Sequence, residues 1–288
     1  MEFSKVGNGQ FAILIIGTAL FLIIPVFIAI LWTIRKKEKI TTILVGAATF
    51  LLFALILEKP IQNVLVFPTQ MGLADHTISR FINARPILWA IIVGLFPGVF
   101  EETGRLIAFK TVLKKRKNRE ASISYGIGHG GFEIILILGL TYITYISYAV
   151  MINAGTFQTI VDQVLAQAPD QADQVYAIAD QLAAYSFGDF AINIVERFFA
   201  LLFHIGASIL VFYACREKKH FWLYPLAIVL HTMMDGILAL TMVDVISLSP
   251  WILEGIVGVF GSLTFLGSYL LLYKKDENKI QNLSKGDK

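Results

Sequence analysis

Long apolar runs, several of them interrupted at similar depth by a few ionisable residues, dominate the pattern of this chain. The runs occupy 11–34, 41–57, 87–109, 121–150, 188–214, 221–241 and 250–273. Each approaches or exceeds the ~20 residues a helix needs to cross the hydrocarbon of a bilayer. The pattern predicts an all-α, polytopic membrane helix bundle of about seven transmembrane helices, forming a single membrane domain over 1–288. The run at 41–57 is the shortest. The run at 121–150 is long enough for a tilted helix or one with an extension.

Two intervening segments are long. Residues 58–86 hold Pro60, Pro68 and Pro86 and a polar stretch, ADHTISRFINAR, that suits one interfacial helix. Residues 153–187 are rich in Ala, Gln and Asp, and Ile160, Val164 and Leu165, then Val175, Ile178, Ala179 and Leu182, recur at helical spacing. Pro169 with Asp170 is expected to end one helix and start the next. The expectation is an external helical hairpin, a plain cap of that face rather than a moving lid. The tail DENKIQNLSKGDK is expected to be disordered.

Composition agrees with a membrane location. The chain is 56% hydrophobic and only 16% charged, whereas a soluble domain carries about a quarter charged residues. The N-terminus MEFSKVGNGQ, followed by a long apolar run without a small-residue cleavage site, does not read as a cleavable signal peptide. The single cysteine, Cys215, excludes an intrachain disulfide.

Lys and Arg gather in alternate connections: Arg35, Lys36, Lys37 and Lys39; Lys114, Lys115, Arg116, Lys117 and Arg119; Arg216, Lys218 and Lys219; and the tail from Lys274. Between Arg119 and Arg197 there is neither, and Asp162, Asp170, Asp173 and Asp180 stand there instead. The positive-inside rule then places the N-terminus outside and the C-terminus in the cytoplasm. An odd number of spans requires the same arrangement. Each basic cluster abuts a span, so it reads as a topology determinant and no nucleic-acid partner is expected.

The ionisable residues inside the spans carry the functional signal. They are Glu101, Glu102 and Arg105; His129 and Glu133; Arg197 and His204; and His231 and Asp235. A charge near the bilayer centre costs roughly 2.5–3.5 kcal/mol on insertion scales. Counting from the basic clusters, Glu101, Arg105, His129, His204 and His231 lie roughly 14–20 Å from the inner ends. Helical phase lets Glu101 and Glu102 both meet Arg105, and pairs His129 with Glu133 and His231 with Asp235. Asn193, Arg197 and His204 share a face. One buried pair, such as Arg197 with Glu196, can fix helix register without any chemistry. Four helices sharing one layer point to a single polar site.

Two chemistries suit these residues. His129, His204 and His231 with one Glu make a zinc set with an open position for water, although no HExxH is present. Alternatively, and without metal, a Glu activates water while His and Asp groups stabilise the oxyanion. The metal-free scheme is preferred, because the Glu101–Glu102 pair needs a role that a metal does not supply. Gly104, Gly126, Gly128, Gly130, Gly131, Gly206 and Gly236 flank the polar residues and permit close helix approach. A proton- or cation-coupled transporter also uses intramembrane charge, but no internal repeat of the kind common in transporters is evident. A catalytically silent immunity or binding protein is the third class.

The order EETGR, Tyr125-x-x-x-His129 within GIGHGGFE, mid-helix His204 and His231-x-x-x-Asp235 resembles the superfamily of CAAX proteases and bacteriocin-processing membrane proteins. Within it the likeness is closest to the YhfC-type membrane proteins, near the PrsW-type proteases, and covers about 87–241. The resemblance implies an intramembrane endopeptidase of the bacterial cytoplasmic membrane, acting on a membrane-associated protein. It implies Glu101 as general base, alone or with Glu102, His129 positioning water, and His231 with Asp235 stabilising the oxyanion. Glu133, Asn193, Arg197 and His204 are expected to bind substrate or support the site. Only two residues, Thr103 and Gly104, separate the Glu pair from Arg105, and Tyr125 stands where CAAX proteases carry Phe. Both departures point away from prenylated substrates.

Overall fold

The computed structural model describes residues 3–167 and 172–276. Among these the chain is helical, without a strand, and seven helices are long and apolar enough to cross a membrane: Asn8–Lys36, Ile40–Val66, Pro86–Lys110, Glu120–Asn153, Phe187–Arg216, Lys218–Met242 and Pro250–Asp276. They correspond one for one to the seven apolar runs. Asp276, the first residue of the tail expected to be disordered, is helical and held by Tyr213 and Arg216; the rest of that tail and the Pro169–Asp170 helix break lie outside the described residues.

The second span departs most from expectation. Instead of stopping near 57 it continues to Val66 through a π-helical stretch, Leu51–Glu58, followed by the α-helical Lys59–Val66. Pro60 follows directly on the π-helical stretch, inside a helix that is continuous from Ile40 to Val66. The polar connection therefore begins at Phe67. It holds a short 3-10 turn, Pro68–Met71, and then Thr77–Asn83, the helix expected there. His76 caps that helix: its ring accepts from the Ser79 backbone N–H, and the Ser79 hydroxyl accepts in return from the His76 N–H. The fourth span is the long one foreseen, with a π-helical stretch at Ile135–Gly139.

The fold resolves into two compact units. The first comprises residues up to Val26 with Glu133–Ile194. It contains the expected pair of helices, Gln158–Gln167 and Ala172–Ala184, with Val161, Ala179 and Leu182 buried. The Asn153 side chain ties the N-terminal segment down by accepting from the Val6 N–H at 2.9 Å and donating to the Val6 carbonyl at 2.8 Å.

The second unit runs from Phe27 to Phe132 and from Val195 onward. Its helices approach closely where glycines face backbone. A Cβ at Gly128 would lie 1.9 Å from the Ile43 carbonyl oxygen, and one at Gly46 would lie 2.3 Å from that of Tyr125. The second and fourth spans thus touch backbone to backbone around His129, as small residues allow in membrane bundles. Gly94 and Gly98 do the same for the third span against Ile228, Thr232 and Gly236 of the sixth. Gly104, facing Thr49 and Phe53, packs the third span against the second as well, so the acidic pair lies on a span held by both the second and the sixth.

Candidate active site

Glu101 and Glu102 are neighbours on the third span, Arg105 lies one turn further on, and all three are buried. Arg105, fully enclosed, forms an ion pair with Glu102 through Nη1. Its Nη2 donates to His204 Nδ1 at 2.6 Å and lies 4.0 Å from Glu101 Oε2. Accepting at Nδ1 places the proton of a neutral His204 on Nε2. One guanidinium therefore binds together residues of the third and fifth spans.

His129, on the fourth span, meets Glu101 Oε2 at 2.8 Å through Nε2. Its ring is walled by Phe50, edge-on at 5.2 Å, and by Tyr125, stacked at 6.0 Å. His231, on the sixth span, meets Glu102 Oε1 at 2.8 Å through Nδ1, while its Nε2 lies 3.5 Å from Asp235 Oδ2. The His129 and His204 rings are 5.0 Å apart and the His204 and His231 rings 5.5 Å. Phe203 covers His231 at 5.0 Å. Asp235 is the half-open edge of the cluster, with its side chain 26% exposed.

Four of the seven spans thus deliver Glu101, Glu102, Arg105, His129, His204, His231 and Asp235 to one buried cluster. The acidic pair divides within it. Glu101 joins the histidines, with Oε2 also 4.0 Å from His204 Nδ1. Glu102 joins Arg105 and His231 through Oε1 alone, and its Oε2, buried, has no hydrogen-bond partner among the described residues.

Asn193 belongs to the first unit, where its amide donates to the Tyr142 and Tyr185 hydroxyls at 3.0 and 2.9 Å. Glu133, one turn past His129, is buried and also falls in the first unit. Arg197 pairs with its neighbour Glu196, and the buried Glu254 of the seventh span interacts with both. Sequence reasoning missed Glu58 altogether. Its position falls in the connection expected to be external, yet it is 1% exposed and interacts electrostatically with Glu101 and His231.

Donor atoms of Glu101, His129 and His204 all lie within 4.8 Å of one another, close enough to hold a metal ion. Of the expected set of three histidines with one Glu, the Glu and two of the histidines come together, and His231 is not in that group. His231 has both ring nitrogens directed at carboxylates. Two imidazoles and a carboxylate are a donor set typical of catalytic zinc, and two buried carboxylates, Glu101 and Glu102, lie against the single guanidinium of Arg105, an excess of acid that a divalent cation offsets. The set fits such an ion.

A seven-span membrane protein with a buried carboxylate, histidine and arginine cluster is the class that fold and site define. The family described as YhfC intramembrane metalloprotease matches residues 20–257, and the chain belongs to it. A relative described as "Uncharacterized membrane protein YhfC", from Bacillus subtilis (strain 168), is 30% identical over 223 residues, covering 77% of this chain and 81% of the relative. No solved structure matches. The protein is a multi-pass membrane protein.

Proposed function

We propose that this protein is an endopeptidase that hydrolyses a peptide bond of a membrane-associated protein, at the cluster around Glu101 and Glu102. The observation that carries the reading is the burial of six ionisable side chains from four spans within hydrogen-bond reach of one another. Such groups are costly in a bilayer and mark functional sites. Hydrolysis needs a base for water and an electrostatic partner for the developing oxyanion.

Glu102 is built as that base. Arg105 and His231 hold Oε1, Asp235 holds the far side of His231, and Oε2 is left to take a proton from water. With both His231 nitrogens so engaged, that ring orients Glu102 rather than contacting the oxyanion. Glu101, His129 and His204 are the residues that would hold a divalent cation, which when bound supplies Lewis-acid polarisation of the scissile carbonyl and a more acidic water. The preference for a metal-free scheme rests on the acidic pair needing a role. With separate partners for Glu101 and Glu102, both have work with or without an ion, and that reason lapses. The family description and the donor set favour the ion.

Metal content tests this assignment apart from activity. Purified protein is expected to retain about one zinc-type ion per chain, as a single set of three ligands and an open position implies. Glu101→Gln, His129→Ala and His204→Ala should each lose it, and His231→Ala should keep it. Metal-free preparations that cleave at full rate in chelator would return the base role to Glu101, whose 2.8 Å contact with His129 is the observation favouring that second reading.

Orientation follows from the Lys and Arg distribution, with the N-terminus outside and the C-terminus in the cytoplasm. Reporters fused after Lys117 should register cytoplasm, and those inserted at 160–165 should register the outside. The reverse pattern would overturn this orientation and place the cluster nearer the outer face.

A further inference from the structure

Glu58 is a buried carboxyl that none of the roles above uses, and its position can be read from two contacts between the second and third spans. Gln62 Nε2 donates to the Val93 carbonyl at 3.2 Å, and Gly104 faces Thr49 and Phe53. Both contacts give the same antiparallel register, which sets Ala54 opposite Glu101 and Glu58 opposite Pro97. Glu58 therefore stands one helical turn from Glu101, about 5–6 Å along the axis. It shares the face of Gln62, four residues on, and that face is turned toward the third span.

Its surroundings satisfy it only in part, through an ion pair with its neighbour Lys59. Neither carboxyl oxygen makes a hydrogen bond among the described residues, and the nearest cation is Lys59 Nζ, 3.3 Å from Oε1 and itself on a half-exposed side chain. At the same level the Thr232 hydroxyl, beside Gly98, is also buried without a hydrogen-bond partner. Buried polar groups are normally hydrogen-bonded, and a catalytic role is one of the few causes of an exception. Glu58 also closes the π-helical stretch Leu51–Glu58, an irregularity found frequently at functional sites.

We propose, resting on the hydrolase reading above, that Glu58 is the acid that protonates the departing amine. Peptide hydrolysis needs two proton movements at two atoms. Water loses a proton to Glu102 as its oxygen bonds to the carbonyl carbon. The C–N bond then breaks as the Glu58 carboxyl passes its proton to the nitrogen, giving a carboxylic acid and an amine. Glu102 afterwards returns its proton to Glu58 through water, and both groups are reset with no other reactant consumed. A peptide bond lying across the turn between Glu101 and Glu58 has its carbonyl at the cluster and its nitrogen at Glu58 and Thr232.

The test uses the full chain in lipid nanodiscs and a panel of fluorogenic transmembrane peptides, each made with an amide and with the matching ester at the cleaved position. An alkoxide leaves more readily than an amine anion, so an ester depends less on the acid. Glu58→Gln is expected to lower amide cleavage by about 10²–10⁴-fold, the usual contribution of an acid–base group. It should leave ester cleavage within a few-fold of wild type, whereas Glu102→Gln loses both. Amide cleavage by Glu58→Gln at the wild-type rate would overturn the inference. Equal loss of amide and ester would overturn it too, by making the role structural, and a thermal unfolding midpoint matched to wild type checks the fold of each variant. Wild type that hydrolyses neither substrate would remove the hydrolase reading itself, and this inference with it.

Discussion

Replacing Glu102 by glutamine is expected to abolish turnover while leaving an inserted, folded protein. The amide keeps the shape of the carboxylate and still offers an oxygen to Arg105 and His231, so the contacts that organise the cluster persist. What disappears is the basic Oε2. General acid–base groups contribute about 10²–10⁴-fold, and a base that also generates the nucleophile belongs at the upper end of that range. Glu101→Gln is expected to fall as far by a different route, through lost ion retention, so metal content separates the two variants. Cleavage rates of the two variants against membrane peptides, beside their metal content, check the division. Full activity in both would sink the role of the acidic pair.

Arg105→Ala is expected to produce the largest loss of stability among the site variants. The guanidinium is fully buried and is the cation that holds Glu102, a carboxylate with no solvent exposure. Removing one partner of a buried ion pair costs roughly 3–5 kcal/mol, because the charge left behind is uncompensated. Arg105→Lys restores a charge without the planar fork that reaches Glu102 and His204 together, so it should recover part of the stability and less of the activity. Adding Glu102→Gln to Arg105→Ala removes the stranded charge and should regain stability. Thermal unfolding in detergent reads all three, and additive losses in the double variant would mean that the pair is not coupled.

The seven spans were legible because hydrocarbon thickness demands a fixed length of apolar sequence, and a water-soluble core seldom calls for runs so long. The cluster was legible for a related reason. Charges inside those runs are expensive, and counting from basic ends gives depth without knowing how helices pack. Depth is not azimuth, however. The third donor beside His129 and His204 depends on how the third and sixth spans rotate about their axes. That rotation is fixed by Gly94 and Gly98 against Thr232 and Gly236, a contact between spans more than a hundred residues apart. Asn193 shares a helical face with Arg197 by spacing, yet its amide is taken by Tyr142 and Tyr185, partners that no local pattern reveals. Glu58 was lost to a boundary. Glu58, Lys59 and Pro60 together look like the polar, proline-marked end of a span, yet the helix runs on through a π-helical stretch that ends just before the proline.

The central claim is that the buried cluster hydrolyses peptide bonds in the membrane. The most direct measurement is mass spectrometry of transmembrane peptides incubated with the purified protein in nanodiscs, run alongside ion-flux measurements on the same protein in sealed vesicles. The account predicts defined cleavage products from wild type, none from Glu102→Gln, and no flux above that of empty vesicles. Intact peptides, together with proton or cation flux that Glu102→Gln abolishes, would contradict it and assign the cluster to transport.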